Sequence, residues 1–295
     1  MNQAVWELNP ASLSAFQSLI LPEAGLIWQD PSADIVAFGI VNGEQPAGLV
    51  LALLAPNRKA ARLLSIMVRS DMRRRGLGKQ LMLVLEHKLR ELGYVSLQVE
   101  FLAAEDLESE EGAFLQACGF PSPEQGMYIR RGRLRAVEDA PWMKLALPAS
   151  FSLEPWRDVT PHDRALIQTE AGKEYPDVLS PFADEDRIDP VRSLLLRYQG
   201  QPAGWLILEE LDAETILLKT MYVYRKHQRL ARGIALGSVV LRKLIDERKY
   251  QYGALCVEQE NEPMVRFLLR HISGPRLSKE VLWRASKSLL TVERS

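Results

Sequence analysis

Apolar residues along this chain fall into two patterns, short unbroken runs and helix-spaced stripes, and each pattern occurs twice in the same order. The runs LVLALL (49–54) and WLILEE (205–210) predict strands, as do the runs ending in SIMV at Val68 and TMYV at Val223. After each second run comes a stripe spaced for a helix. Leu77, Leu81, Val84, Leu85 and Leu89 share one face, Leu92 extends it, and Gly93 is placed to cap it. Leu236, Val240 and Leu244, flanked by Gly237, Leu241 and Ile245, form the second stripe. VSLQVEF (95–101) and GALCVEQ (253–259) predict the next strands, followed by helices over roughly 108–118 and 262–271.

The recurrence extends to letters. QPAG stands at 45–48 and again at 201–204, and Val68 and Val223 end corresponding strands 155 residues apart. That fixed order predicts a duplicated mixed α+β domain, with residues 1–150 and 151–295 as its copies and Pro141, Pro148 and Pro155 marking the divide. MYIRRGR (127–133) and WMKLAL (142–147) then read as late strands of the first copy, and a helix starting at His162 or Asp163 opens the second. The acidic, Pro-rich stretch 175–190 predicts a long loop, either overhanging a cleft or simply solvated. RLSKEVLWRASKS (276–288) reads as an amphipathic helix that packs domains, with no membrane role.

Composition narrows the functional classes. With 47% hydrophobic and 25% charged residues and a formal charge of −1, the chain is an ordinary globular sequence without a broad phosphate-binding field. The arginine cluster lacks neighbouring aromatic platforms, so nucleic acid is not an expected partner. Cys118 and Cys256 stand far apart and the four histidines form no ligand pair, so no metal is expected. Both cysteines read as packing residues. The N-terminus lacks a basic start followed by an apolar stretch, and the longest apolar runs are about half a membrane span. A cytoplasmic protein is expected, monomeric or a homodimer.

The corner VRSDMRRRGLGKQL (68–81) carries the candidate chemistry. It joins a strand to a helix with two glycines and three arginines. Gly76 and Gly78 allow an anion close to the amides at the helix start, and Arg73, Arg74 and Arg75 add positive charge at the rim. A tight turn with solvated arginines is the plain alternative. Neither the Walker lysine pattern nor the full dinucleotide fingerprint is present.

In these residues the chain resembles the GCN5-related N-acetyltransferase (GNAT) superfamily, in a tandem two-domain form. The family's Q/R-x-x-G-x-G/A motif after a strand corresponds to VRSDMRRRGLG, with Ser70 in place of a usual proline, and GF at 119–120 resembles the end of a second motif. The likeness covers most of 35–130 and returns more weakly over 198–272. It implies, in each copy, a central, mostly antiparallel, splayed sheet flanked by helices. It further implies acetyl-CoA as donor. Its pantetheine arm would lie along Ile66, Met67 and Val68, and its pyrophosphate would sit on Arg73, Arg74, Arg75, Gly76, Leu77, Gly78 and Lys79. The implied reaction is direct attack of an amine, of a small molecule or a protein, on the acyl carbonyl.

The resemblance is incomplete. The family's leaving-group tyrosine falls on Leu115 in the first copy and Leu268 in the second, and Glu108 and Glu111 replace an asparagine and a small residue. Asn261 restores that asparagine in the second copy. There Ala231 replaces the first glycine, a change that fits only if its dihedrals are ordinary; Gly233, Arg229 and Arg232 remain. Glu100 is the candidate general base, with Gln98 on the same strand face to position water; a salt-bridged surface carboxylate is the alternative. Tyr128 is the candidate acid or pocket wall. Expected alternatives are a non-catalytic acyl-CoA sensor or scaffold, and an acyltransferase resembling mycothiol synthase.

Overall fold

The computed structural model describes residues 5–21, 24, 27, 30, 32–105 and 109–290, and the chain divides into two compact units. The first takes residues 1–126 together with 282–295, the second 127–281. In the first unit β1 (Val5–Glu7), β2 (Ile35–Asn42), β3 (Gln45–Leu54) and β4 (Ala60–Val68) pair antiparallel in sequence, and β5 (Ser96–Ala104) joins β4 in parallel. Beyond the short helix α1 (Pro10–Leu13) and a 3-10 segment (Ser14–Leu19), helix α2 (Leu77–Glu91) makes the parallel crossover, and α3 (Glu110–Ala117) follows β5.

Two apolar layers hold this sheet. On one face Leu81, Leu85 and Leu89 of α2 are fully buried against Val50, Ala52, Ala61, Leu63, Leu97 and Val99. Each such leucine contributes roughly 2 kcal/mol by leaving water. Gly93, at φ +82, ends the helix as its spacing predicts. On the other face Phe16 and Leu19 cover Leu49 and Leu51.

The second unit repeats the plan. β7 (Phe151–Pro155), β8 (Leu194–Tyr198), β9 (Gln201–Asp212) and β10 (Thr215–Val223) pair antiparallel, β11 (Tyr252–Glu258) adds in parallel to β10, and β6 (Glu124–Arg133) pairs antiparallel with β11 through Met127–Arg133. Helix α4 (Pro161–Thr169) opens it, α5 (Arg232–Glu247) makes the crossover and α6 (Glu262–His271) follows β11. The face away from α5 is aromatic, with Trp156, Tyr175, Trp205 and Tyr222 around Ile167 and Ile207.

Three expectations need correction. The units do not part near 148–156, because MYIRRGR pairs with β11 and the chain's end returns to the first unit. WMKLAL is not a strand. Pro141 opens a 3-10 turn over Pro141–Lys144, and Trp142 packs edge-on against Phe267 at 5.5 Å. The terminal stretch is not a helix but strand β12 (Leu277–Ser288), divided between the units at Val281 and Leu282. Val281 and Ala285 are its buried residues, and a spacing of four satisfies a strand face as well as a helix turn. Among the described residues no helix is long and apolar enough to cross a membrane, and no cluster of His, Cys, Asp and Glu could hold a metal ion.

Candidate active site

In the first unit the site begins where two parallel strands stop pairing. β4 and β5 are in register only from Ala60↔Ser96 to Leu63↔Val99. Both strands run on, β4 to Val68 and β5 to Ala104, so Ile66, Met67 and Val68 keep β3 on one edge and leave the other edge outside that ladder. A bulge at Leu64, between the Leu51↔Ser65 and Ala52↔Leu63 pairs, accompanies the parting. Such a bulge bends and twists its strand, which is the means by which neighbours diverge. Unpaired strand edges present amide and carbonyl groups, the complement of an extended amide-bearing chain.

The strand leads into the corner. Arg73 Nε donates to the Val68 carbonyl at 3.2 Å, Arg75 Nη2 to the Asp71 carbonyl at 3.3 Å, and Arg69 pairs with Asp71 at 2.6 Å while also reaching Gln45. The Arg69 guanidinium holds the Asp71 carboxyl below its ordinary range. These arginines therefore brace the loop as well as supplying charge. Arg74 is exposed and pairs loosely with Glu110 at 3.7 Å; Lys79 is exposed one turn away.

Gly76 caps α2 at φ +80, with open space where a side chain would begin. The first-turn amides of an α-helix have no acceptor within it, so this end presents donors with a clear approach. Gly78 is needed for a different reason: a Cβ there would lie 3.0 Å from the Phe114 ring of α3. A diphosphate-bearing thioester thus fits the residues present, with amides and positive charge at one end and an unpaired strand edge at the other.

β5 alternates up to and across the parting. Leu97 and Val99 enter the α2 core, so Gln98 and Glu100 face the other way. Ser65 shares that opposite face with its cross-strand neighbour Leu51, and its buried hydroxyl has no hydrogen-bond partner among the described residues. Glu100 is about 40% exposed and accepts from Arg284 Nε of β12 at 2.9 Å. The Arg284 side chain lies beside Gly126, where a Cβ would meet its Nε at 2.7 Å.

The expected residues are not all gathered in one unit. Ile66 to Val68, Arg73 to Lys79 and Glu100 belong to the first, whereas Tyr128 is a buried β6 residue of the second, with the Arg130 guanidinium 6.0 Å from its ring centre. Leu115 is buried in the first core and Leu268 is fully buried in the second unit, so both tyrosine positions serve packing. Cys118 is buried, and burial raises its thiol pKa, followed by the nearby Glu86. Cys256 is exposed as a residue, yet desolvation likewise raises its thiol. Glu108 lies outside the described residues. Sequence reasoning missed Arg284, because the terminal stretch reads equally well as a helix.

The second unit preserves the parting and alters the corner. β10 and β11 pair only from Thr215↔Tyr252 to Leu218↔Leu255, with a bulge at Lys219, 155 residues after Leu64. Gln228 Nε2 donates to the Val223 carbonyl at 2.8 Å, the same bond that Arg73 makes to Val68. Leu230 and Ala231 take φ of +60 and +54, so the alanine's dihedrals are not ordinary. The Arg232 guanidinium stacks over Phe151 at 5.2 Å. The acidic loop is tied down: Asp184 pairs with Lys219 at 3.0 Å, Glu185 with Arg164 at 2.5 Å and Asp189 with Arg192 at 3.0 Å.

Two copies of a splayed sheet, each with a bulged strand entering a helix-start corner, define the class. Residues 2–120 match the acetyltransferase (GNAT) family, and the chain carries a GNAT domain there within a tandem GNAT fold. Members of that family transfer acyl groups from acetyl-CoA. The fold is similar to that of a tandem GNAT protein from the clavulanic acid biosynthesis pathway, at 15% identity over 98% of this chain and 100% of that one, with a TM-score of 0.65. A GCN5-related N-acetyltransferase from Sphaerobacter thermophilus gives 16% identity, 98% and 96% coverage and a TM-score of 0.61. A glucosamine N-acetyltransferase region of a fungal multi-domain β-N-acetylglucosaminidase gives 13%, 96% of this chain, 38% of that one and 0.62. None of the curated proteins matches the sequence.

Proposed function

We propose that the chain is an acetyl-CoA-dependent N-acyltransferase whose first unit binds the thioester and whose acceptor is a primary amine. The observation that carries this reading is the end of β4–β5 pairing at Leu63 and Val99, directly upstream of the Gly76 corner. When bound, acetyl-CoA supplies the acyl carbon and a thiolate leaving group. Ile66 to Val68 offer main-chain partners to an amide-bearing arm, and the α2 amides with Arg74 and Lys79 hold its phosphates. Glu100 takes a proton from the acceptor nitrogen, freeing the lone pair that forms the amide bond. Leu115, an alkyl side chain buried in the core, has no proton to give a leaving thiolate.

Titrating the protein with CoA by calorimetry, then screening primary amines with thiol detection, tests both halves. The expected result is one tight site per chain and thiol release with at least one amine class. Gly76→Val should weaken CoA binding by at least about tenfold in a folded protein, because its side chain enters the open approach to the α2 amides. Unchanged affinity would end the assignment. A second reading, acyl-CoA binding without turnover, draws on the buried Leu115. CoA binding with no thiol release across the panel would favour it.

A further inference from the structure

Resting on that reading, and deepening it, we infer that the acceptor is a free α-amino acid, with Glu100 receiving its ammonium and Arg284 its carboxylate. Ala285 of β12 is buried in the α2 core, so Arg284 points to the opposite face, which Glu100 also occupies. The two form a pair at 2.9 Å, each about two-fifths exposed, beside the stretch of β5 that continues past the parting. Gly126 makes room for the guanidinium, since any side chain there would collide with it at 2.7 Å.

A base that must accept a proton from an ammonium is normally left facing a neutral or acidic surrounding. Here it is neutralised by a cation in contact with it. A simple cationic amine approaching Glu100 displaces Arg284 and gains one ion pair at the cost of another, with two cations left side by side. A zwitterion does not meet that cost. Its ammonium replaces the guanidinium at Glu100 while its carboxylate replaces the Glu100 carboxylate at Arg284, so one ion pair becomes two. The guanidinium fork suits a carboxylate geometrically. Because the two protein charges touch, the ligand charges must also be close, as they are across the single carbon of an α-amino acid. In an ω-amino acid they are not.

The test compares one amino acid with its carboxamide, its decarboxylated amine and an ω-amino acid of similar size, using the full-length protein and acetyl-CoA with thiol detection. The free α-amino acid should exceed each of the others in kcat/KM by about 100-fold, since a charged group built to meet the carboxylate is left unmet by the analogues. Arg284→Gln should collapse that ratio towards one, chiefly through KM for the free acid, and Arg284→Lys should restore part of it. Equal turnover of acid and carboxamide by the wild type would overturn the inference, as would an unchanged acid-to-amide ratio in Arg284→Gln. Calorimetric CoA affinity is the separate readout. Its loss in the wild type would defeat the acyltransferase reading itself, and its retention in Arg284→Gln shows that the variant has folded.

Discussion

At the residue scale, the two copies of the corner set the same backbone problem and answer it with different side chains. Gly76 takes a left-handed φ of +80 at no steric cost, and Ala231 takes φ +54 at the equivalent place, directly after Leu230 at +60. An L-residue in that region pays roughly 1 kcal/mol or more. Ala231→Gly should relieve this strain, less several tenths for added unfolded-state freedom, and raise the stability of the second unit by about 0.5 kcal/mol. Denaturant unfolding checks it; a destabilised variant would show the strain to be absorbed elsewhere. The glycine spacing and the Arg73/Gln228 correspondence were readable in the sequence. The dihedral of Ala231 was not, because an alanine gives no sign of the conformation its surroundings impose.

At the scale of elements, helix α4 shows how a local signal and a distant partner combine. Thr160 and Asp163 form a reciprocal capping box, and Pro161 occupies the first turn. The Asp163 carboxylate also receives both terminal nitrogens of Arg197 from β8, at 3.0 and 2.8 Å. Arg197, which also pairs with Glu154, holds the Asp163 carboxyl well below the usual carboxylate range. A carboxyl depressed in the folded state stabilises it fully above its unfolded value, near pH 4, and that contribution drains away as pH falls further. The second unit should therefore lose stability steeply below about pH 4, and Asp163→Asn should flatten that slope. Asp163→Ala should cost about 3 kcal/mol, since Arg197 is left mostly buried beside an empty place. Urea midpoints measured between pH 3 and 7 give both quantities. The helix was legible in the sequence, with its start read at His162 or Asp163, one or two residues past the observed Pro161. The Arg197 contact was not, because 34 residues separate the partners.

At the scale of the whole molecule, the repeat was legible from QPAG and its matched spacings, whereas the way the chain is apportioned was not. A periodic pattern locates strands but does not name their neighbours, and so MYIRRGR was placed with the first copy, while the four-residue spacing of Val281 and Ala285 let the terminal stretch read as a helix. The consequence is that the first unit is built from two distant segments. Ala285 and Leu289 complete its core, the Leu289 amide donates to the Val95 carbonyl at 2.8 Å, and Lys287 reaches buried Glu86 at 2.6 Å and the Cys118 carbonyl at 2.6 Å. Losing a buried leucine costs about 3 kcal/mol. Leaving Glu86 with Arg90 alone, in a buried position, adds a further penalty of the same order. Together these approach the roughly 5 kcal/mol that is the whole margin of a weakly stable domain. A chain ending at Val281 should therefore lose the first unit's unfolding transition and its CoA binding while the transition of the second unit persists. Hydrogen exchange should show β2 to β5 unprotected and β8 to β10 protected. A fragment spanning 1–150 should fail in the same way, since it too lacks residues 282–295. Cooperative unfolding and CoA binding by either truncated protein would mean that the terminal strand decorates the first unit and does not complete it.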